Sequence, residues 1–511
     1  MEIGNLTPLY TAEETRLLDK LTIESGVVSG YELMKKAGEF AFNSIIGRWP
    51  KLEKLHIVCG MGNNGGDGFV IASLAANSGI SVALCYLGDL SKQTADARLA
   101  REDAQAKGVT LASYSAAFFN DATYVVDAIF GTGLERDVEG QWANVIHEIN
   151  ASQAKIVSID LPSGLHADTG RILKNAVNAH LTITFIGIKQ GMLTGAAKDL
   201  CGEIQFSDLD VPPAVFSKVS ASSYLLPKNL SDEILKNRAK NSHKGVFGNL
   251  VLIGGAPGYN GAILLAAVAA MRAGCGLVTI LTHSQHAAFL NMSYPEIMCQ
   301  GYDDILSDQE EIKTVLSRAD AIAIGPGLGK SKWADLLLKL VLSIQKPTVI
   351  DADALNLLPR QKISSTAMVN NGNPSATNWI LTPHPGEASR LLNSDTKSIQ
   401  ENRFASAKNI SEKYQAVCIL KGAGSIIHGD NKNYVCAMGN PGMATAGMGD
   451  VLTGITGALL AQNKKRSMLD IAIDAVQLHA YSGDRCAEKL GEKGMIASDL
   501  IPEIRSAING N

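Results

Sequence analysis

Leu55-His56-Ile57-Val58-Cys59 leads into Gly60-Met61-Gly62-Asn63-Asn64-Gly65-Gly66-Asp67-Gly68 and then Phe69-Val70. An apolar strand runs into a glycine-rich turn and out into an apolar helix. This is the strand–turn–helix unit of a parallel sheet, and its turn offers backbone amides to an anionic group at the helix start. Gly60-x-Gly62-x-x-Gly65 formally fits the dinucleotide fingerprint, with Asp89 at the end of the next strand, where a ribose-binding acid would be sought. The blander reading is a tight turn whose glycines need positive φ. Asn63, Asn64 and Asp67 exceed both readings, because they add side-chain ligands where a hydride-transfer loop prefers bare backbone. A second glycine bend, Gly447-Met448-Gly449-Asp450, opens into another apolar helix in the other half of the chain. Two such turns imply two nucleotide-type sites.

Outward from the first turn, residues 11–48 read as two helices, with Leu17, Leu18, Leu21 and then Leu33, Met34, Ala37, Phe40, Ala41 at helical spacing. After Lys54, short apolar runs (Leu55–Cys59, Val82–Leu87, Tyr124–Ala128, Lys155–Ile159, Leu181–Ile186) alternate with polar segments of helix length. Continuous apolar strands in that alternation mean a parallel sheet covered on both faces. Residues 208–228 break the rhythm with Val211-Pro212-Pro213, a serine cluster and Pro227, and read as a connection. Alternation then resumes with strands at 249–253, 277–281, 321–324, 348–350, 379–381 and 416–420, a helix at 262–273, and a hairpin over 425–428 and 434–437. The fold class is α/β, with a Rossmann-like three-layer domain over 1–217 and a second α/β domain over 230–511.

The 511 residues exceed one ordinary core, and 46% hydrophobic with 19% charged residues describes a folded chain. A net charge of -4 supplies no basic footprint for nucleic acid. The eight cysteines lack any CxxC pair and several sit in apolar runs, which points to buried thiols in a reducing compartment. Neither a secretory signal nor a membrane span is visible, so a cytoplasmic protein is expected.

In the first half, Val126-Asp127-Ala128-Ile129-Phe130-Gly131-Thr132-Gly133 and Ser158-Ile159-Asp160-Leu161-Pro162-Ser163-Gly164 sit at the carboxyl ends of later strands, the ligand edge of an open α/β sheet. Asp127 and Asp160 interrupt apolar strand ends, and an ionised carboxylate there must be paired, metal-bound or catalytic. In this order and spacing the three loops resemble the epimerase domain of the bifunctional NAD(P)H-hydrate repair enzymes, over about residues 10–215. That resemblance implies interconversion of the R and S forms of a nicotinamide hydroxylated at C6. It places substrate loops on Asn63, Asn64, Gly65, Gly66 and Asp67 and on Gly131, Thr132, Gly133, Leu134, Glu135, Arg136 and Asp137. It also implies K+ ligands at Asn64, Asp127 and Ser163 and a substrate-contacting, catalytic aspartate at Asp160.

In the second half, Gly325-Pro326-Gly327-Leu328-Gly329-Lys330-Ser331 is one residue short of a P-loop, so a Walker A reading is rejected. Asp450 alone would read as a helix N-cap. The small residues before it leave the amides of 447–449 open to negative charge beside a carboxylate, the arrangement phosphoryl transfer needs. Glycine-then-Asp at a helix start resembles the ribokinase-like superfamily. With Ser242–Gly245, Gly325–Gly329, Val349–Asn356 and Leu381–Glu387 it resembles the ADP/ATP-dependent NAD(P)H-hydrate dehydratases over about 230–505. The resemblance implies hydrate contacts at Ala262, Gly327, His384 and Asp450. It implies nucleotide contacts at Lys421, Gly422, Ala423, Gly424, Ser425 and Gly449, and Mg2+ accompanying ADP or ATP. Ala446 stands where a glycine is usual.

The two resemblances together imply a bifunctional repair enzyme, isomerase and lyase, acting on NADHX and NADPHX with ADP giving AMP and phosphate. A homo-oligomer without nucleic-acid or membrane partners is expected. The alternative is a ribokinase-like small-molecule kinase fused to a non-catalytic Rossmann-like binding domain. That scaffold should lack strand-end acids, and Asp127 and Asp160 weigh against it.

Overall fold

The computed structural model describes residues 6–115, 117–361 and 378–510 and divides into two compact units, Pro8–Tyr224 and the remainder of the chain. In the first, Lys54–Cys59 (β1), Ser81–Tyr86 (β2), Leu111–Ser113 (β3), Tyr124–Ala128 (β4), Lys155–Ile159 (β5), Leu181–Phe185 (β6) and Glu203–Ser207 (β7) run parallel. Their order, β3-β2-β1-β4-β5-β6-β7, is doubly wound and reverses between β1 and β4. Two capped helices, Ala12–Glu24 and Gly30–Arg48, precede the sheet. Thr11 with Glu14 and Ser29 with Glu32 form reciprocal capping boxes.

Nearly every position of β1, β4, β5 and β6 is buried, so both faces of the sheet are covered. On one face Val58, Val125 and Ile156 pack with Val145, Ile146 and Ile149 of the helix Gln141–Ala151. On the other lies the helix Asn63–Asn77, where a Cβ on Gly68 would stand 2.7 Å from Cys59 Sγ and from Ala128 Cβ. The turn reading of these glycines is corrected here: Gly60, Gly62, Gly65, Gly66 and Gly68 all avoid positive φ. The helix begins at Asn63, and most of its glycines serve close approach. A Cβ on Gly65 would stand 2.0 Å from Gly60 O, and one on Gly60 would stand 2.0 Å from Ile129 O.

In the second unit, Asn249–Ile253 (β8), Leu277–Thr282 (β9), Met298–Gly301 (β10), Ala321–Ile324 (β11), Thr348–Ile350 (β12), Trp379–Leu381 (β13) and Val417–Leu420 (β14) are parallel. The antiparallel hairpin Ser425–Gly429 (β15) and Lys432–Cys436 (β16) follows. The order is β10-β9-β8-β11-β12-β13-β14-β15-β16, reversing between β8 and β11. The helix Met448–Gln462 is buried from Val451 to Ala461. It lies so close to the helix Asn260–Arg272 that a Cβ on Gly454 would stand 2.0 Å from Ala266 O. All eight cysteines are free and seven are buried. Among the described residues no helix is long and apolar enough to cross a membrane.

Candidate active sites

In the first unit the loops after β1, β4 and β5 meet at the switch point, around a cavity of about 910 Å³. That volume suits a small-molecule ligand. Asn63, Asn64, Asp67, residues 131–136 and Asp160 line it. Gly65 and Gly66 do not: they back onto Gly60 and onto Met34. Asp137 does not line it either, and its carboxylate lies 3.6 Å from Lys174.

Asp127 and Ser163 are fully buried. The Asp127 carboxylate accepts from Ser158 Oγ at 2.8 Å, Ser163 N at 2.9 Å, Ser163 Oγ at 2.5 Å and Ile129 N at 3.3 Å. These four donors occupy its acceptor sites and tie the third loop to the second. Burial still raises its pKa, against the pull of those hydrogen bonds. Asn64 is the complement: its amide is buried, and neither Oδ1 nor Nδ2 has a hydrogen-bond partner among the described residues.

Asp160 takes a left-handed backbone, φ 64, as its N–H bonds Ile183 O at 2.7 Å. A non-glycine residue is held there only by its surroundings. Its Oδ2 accepts from Thr132 N at 3.3 Å, and its Oδ1 is bonded to Lys189 Nζ and accepts from Thr184 Oγ1 at 3.4 Å. Asp19, Asp67, Asp89, Asp96 and Glu135 line the same cavity. Burial, with the charges of Asp160 and Asp19, pushes Asp67 well above the usual carboxylate range, and Lys189 only partly offsets this. Burial pushes Asp19 up to about 6, with Lys189 lowering and Asp160 raising it. Sequence reasoning missed both Asp19 and Lys189. Lys189 did leave a signal, as a lone cation in the uncharged stretch 181–197; Asp19, on a helix, left none.

In the second unit the site is built on the ends of β11, β12, β13 and β14. Gly327, φ 58, approaches the start of the helix carrying Ala262: a Cβ there would stand 2.3 Å from Tyr259 O. Asp351, immediately after β12, is the clasp that sequence reasoning quoted without assigning. It accepts from Lys421 Nζ at 2.8 Å, Thr382 Oγ1 at 2.7 Å and Thr453 Oγ1 at 2.6 Å, joining β12, β13, β14 and the helix Met448–Gln462. Burial works against the charge on each partner, yet their mutual attraction lowers the Asp351 pKa and, with Glu387 and Asp450, raises that of Lys421.

The turn 421–425 has Gly422 at φ 145 and Gly424 at φ 63. The buried Arg403 guanidinium donates to the carbonyls of Leu420, Lys421 and Gly424 at 3.2 to 3.5 Å. Ser425 Oγ bonds Gly422 O within the same turn at 3.1 Å. Ala423 belongs to this turn. A Cβ on Gly449 would stand 3.3 Å from Lys421 Nζ, so the helix start and the ammonium face one space.

Asp450, in the first turn, makes no side-chain cap of that helix. Burial pushes it up to about 7, with Asp351 and Asp353 raising it and Lys421 pulling it down. His384 caps the helix Pro385–Leu392: its Nδ1 accepts from Gly386 N at 3.0 Å, while its N–H donates to Glu387 Oε2 at 2.8 Å. Its side chain is half exposed, with Nε2 3.4 Å from Glu387 Oε1. Burial lowers its pKa, as does Lys421. Glu387 is itself pushed up to about 7 by burial, against Lys421. Ala446 is exposed and outside the positive-φ region, so a methyl is tolerated there.

These two strand-edge sites define a two-unit α/β enzyme for nucleotide-type ligands, the first unit Rossmann-like. Residues 30–191 match the family described as YjeF-related protein N-terminus, and residues 250–506 match NAD(P)H-hydrate dehydratase. The chain is 39% identical to a bifunctional NAD(P)H-hydrate repair enzyme of Coxiella burnetii, over 99% of this chain and 100% of that one. It is 39% identical to one of Escherichia coli, over 94% and 90%. An ADP/ATP-dependent NAD(P)H-hydrate dehydratase from Bacillus subtilis, co-crystallised with ATP and Mg2+, aligns with a TM-score of 0.44 at 26% identity, covering 53% of this chain and 93% of that one. The chain belongs to the bifunctional NAD(P)H-hydrate repair enzymes.

Proposed function

We propose that the chain returns hydrated NADH and NADPH to use, with R/S epimerisation in the first unit and nucleotide-dependent dehydration of the S form in the second. The observation that carries this is a carboxylate open to ligand in each unit, Asp160 at the cavity wall and Asp450 uncapped beside Lys421.

In the first site the ring-nitrogen lone pair breaks the C6–O bond and leaves a flat iminium. The departing oxygen takes a proton from the carboxyl cluster and leaves as water. Water then adds to the other face and returns a proton, so the cluster ends as it began. Asp160 is the member whose oxygen handles these protons. Asn64, Asp127 and Ser163 offer only oxygen ligands. Asp127 is a buried carboxylate with no ion pair among the described residues, and the Asn64 amide is free to turn an oxygen inward. Both suit K+, which would hold the three loops in register while taking no part in bond changes. Because the acceptor sites of Asp127 are filled, its charge serves the cation more than its lone pairs do.

In the second site Asp450 takes the C6 hydroxyl proton and that oxygen attacks the terminal phosphoryl of ADP or ATP, breaking the bridging P–O bond and releasing AMP or ADP. Lys421 and the 447–449 amides hold the transferring oxygens. Nitrogen push then expels phosphate, and loss of a C5 proton restores the dihydronicotinamide. Among the described residues no group of three or more His, Cys, Asp or Glu could hold a metal. That suits Mg2+ arriving on the nucleotide phosphates, whose charge it would neutralise. His384 Nε2 remains open to the hydrate while its other nitrogen caps the helix.

The test supplies chemically hydrated NADH, as an epimer mixture, with ADP, ATP or no nucleotide, and follows the return of reduced-nicotinamide absorbance. Full recovery with one nucleotide supports both activities. A stable phosphorylated product supports the kinase alternative, and an inert response rejects the reading.

A further inference from the structure

Lys189 is a single cation in a wholly buried position, its side chain 1% exposed. The backbone fixes where it sits. Ile188 and Lys189 pair in parallel with Leu9 and Tyr10, and Ile186 just before them takes φ 62 to turn the chain out of β6. The ammonium has three protons and three acceptors: Asp160 Oδ1, Thr184 Oγ1 at 2.9 Å and Phe185 O at 3.2 Å. Replacing a buried ion pair by well-packed apolar residues is often neutral or stabilising, so stability alone is a poor reason for this one. Its partner is no inert filler either, because Asp160 lines the cavity with Asp19 and Asp67.

We propose that Lys189 is a positioning residue of the epimerase reaction: its ammonium, fixed on Thr184 and the Phe185 carbonyl, clamps Asp160 Oδ1 and so holds Oδ2 beside Thr132 N at the cavity wall. The inference rests on Asp160 being the acid–base group, and it adds the element that aims it. Thr184 completes the clamp, since its hydroxyl faces both Lys189 Nζ and Asp160 Oδ1. Without the ammonium the carboxylate can rotate about its side-chain bonds, and small misplacements of a reacting group lower the turnover of bound substrate. Substrate capture is left to the loops after β1 and β4.

The test follows conversion of purified R hydrate without nucleotide, so that the second unit is silent, with spontaneous epimerisation subtracted. Lys189→Met is expected to lower kcat about 100-fold with KM changed less than about threefold, and Lys189→Arg to recover most of the loss. Nucleotide-dependent dehydration of the S hydrate by the same preparations reports on the rest of the chain. Unchanged kcat in Lys189→Met, or a rise in KM alone, overturns the proposal. Should Lys189→Met fail to fold, Thr184→Val decides: kcat about fivefold lower at constant KM supports the clamp, and wild-type kcat rejects it. Asp160→Asn runs in parallel. If it epimerises normally the acid–base assignment itself fails, whereas an inactive Asp160→Asn beside a fully active Lys189→Met removes only the clamp.

Discussion

Among the described residues each unit contains one buried lysine–aspartate pair, and the two pairs are built in opposite senses. In the first, the lysine side chain is 1% exposed and its aspartate, Asp160, 16%. In the second, the aspartate side chain, Asp351, is 1% exposed and its lysine, Lys421, 19%. The partner left facing ligand suits the chemistry proposed for each. A hydroxyl that leaves and returns as water needs a carboxylate able to move protons, and in the first unit the carboxylate is the more exposed partner at the cavity wall. A transferring phosphoryl needs a fixed positive charge, so there the carboxylate is hidden. The second unit then requires a separate base, and Asp450 is pushed up to about 7 by burial and its acidic neighbours, against the pull of Lys421.

The largest effect that would break this contrast is on Asp450. Asp450→Asn should reduce nucleotide-dependent recovery at least about 10³-fold while epimerisation continues, measured by chromatographic separation of the epimers. Next, Asp160→Asn should slow epimerisation about 10²-fold or more, leaving the S form consumed and the R form stranded in the absorbance assay. Lys421→Met should lower kcat/KM for the nucleotide about 10²-fold, and Asp351→Asn should follow it in the same assay, because Asp351 acts through the lysine.

A pH profile sharpens the comparison further. A base must be ionised, and a carboxyl raised to about 7 loses that form as pH falls through about 7. Dehydration should therefore fade below about pH 7 with a single proton bound, and Asp450 titration is tested by the loss of that limb in any variant that still turns over. The smallest effect is exchange of K+ for Li+, which should slow epimerisation several-fold at unchanged fold, read by comparing the two salts at equal ionic strength.

Much of this fold was written locally. Runs such as Ile156–Ile159 and Ile322–Ile324 are buried on both faces, so their unbroken apolar character announces a parallel sheet without any partner being known. The loops bearing Asp67, Asp127, Asp160 and Asp450 carried their own glycine and acid signatures. What stayed hidden depends on contacts between distant parts of the chain. Asp19 lies on a helix whose spacing says only that one face is apolar, and its place in the cavity depends on contacts with distant parts of the chain such as Pro213–Phe216. Asp351 has no assignable role in the sequence until Lys421 and Thr453 meet it. The glycines of the first turn misled because a sequence does not distinguish room for φ from room for a neighbour. Gly65 needs the second kind, against Gly60 O. His384, expected as a ligand, also holds a helix start, a role fixed by Glu387 three residues on.

Gly449 leaves between helix and ammonium a gap in which a Cβ would stand 3.3 Å from Lys421 Nζ. Under the proposed function, one added carbon would crowd the space assigned to a phosphate oxygen. Gly449→Ala would thus act as a jammed valve, expected to stall phosphoryl transfer more than capture of the damaged cofactor.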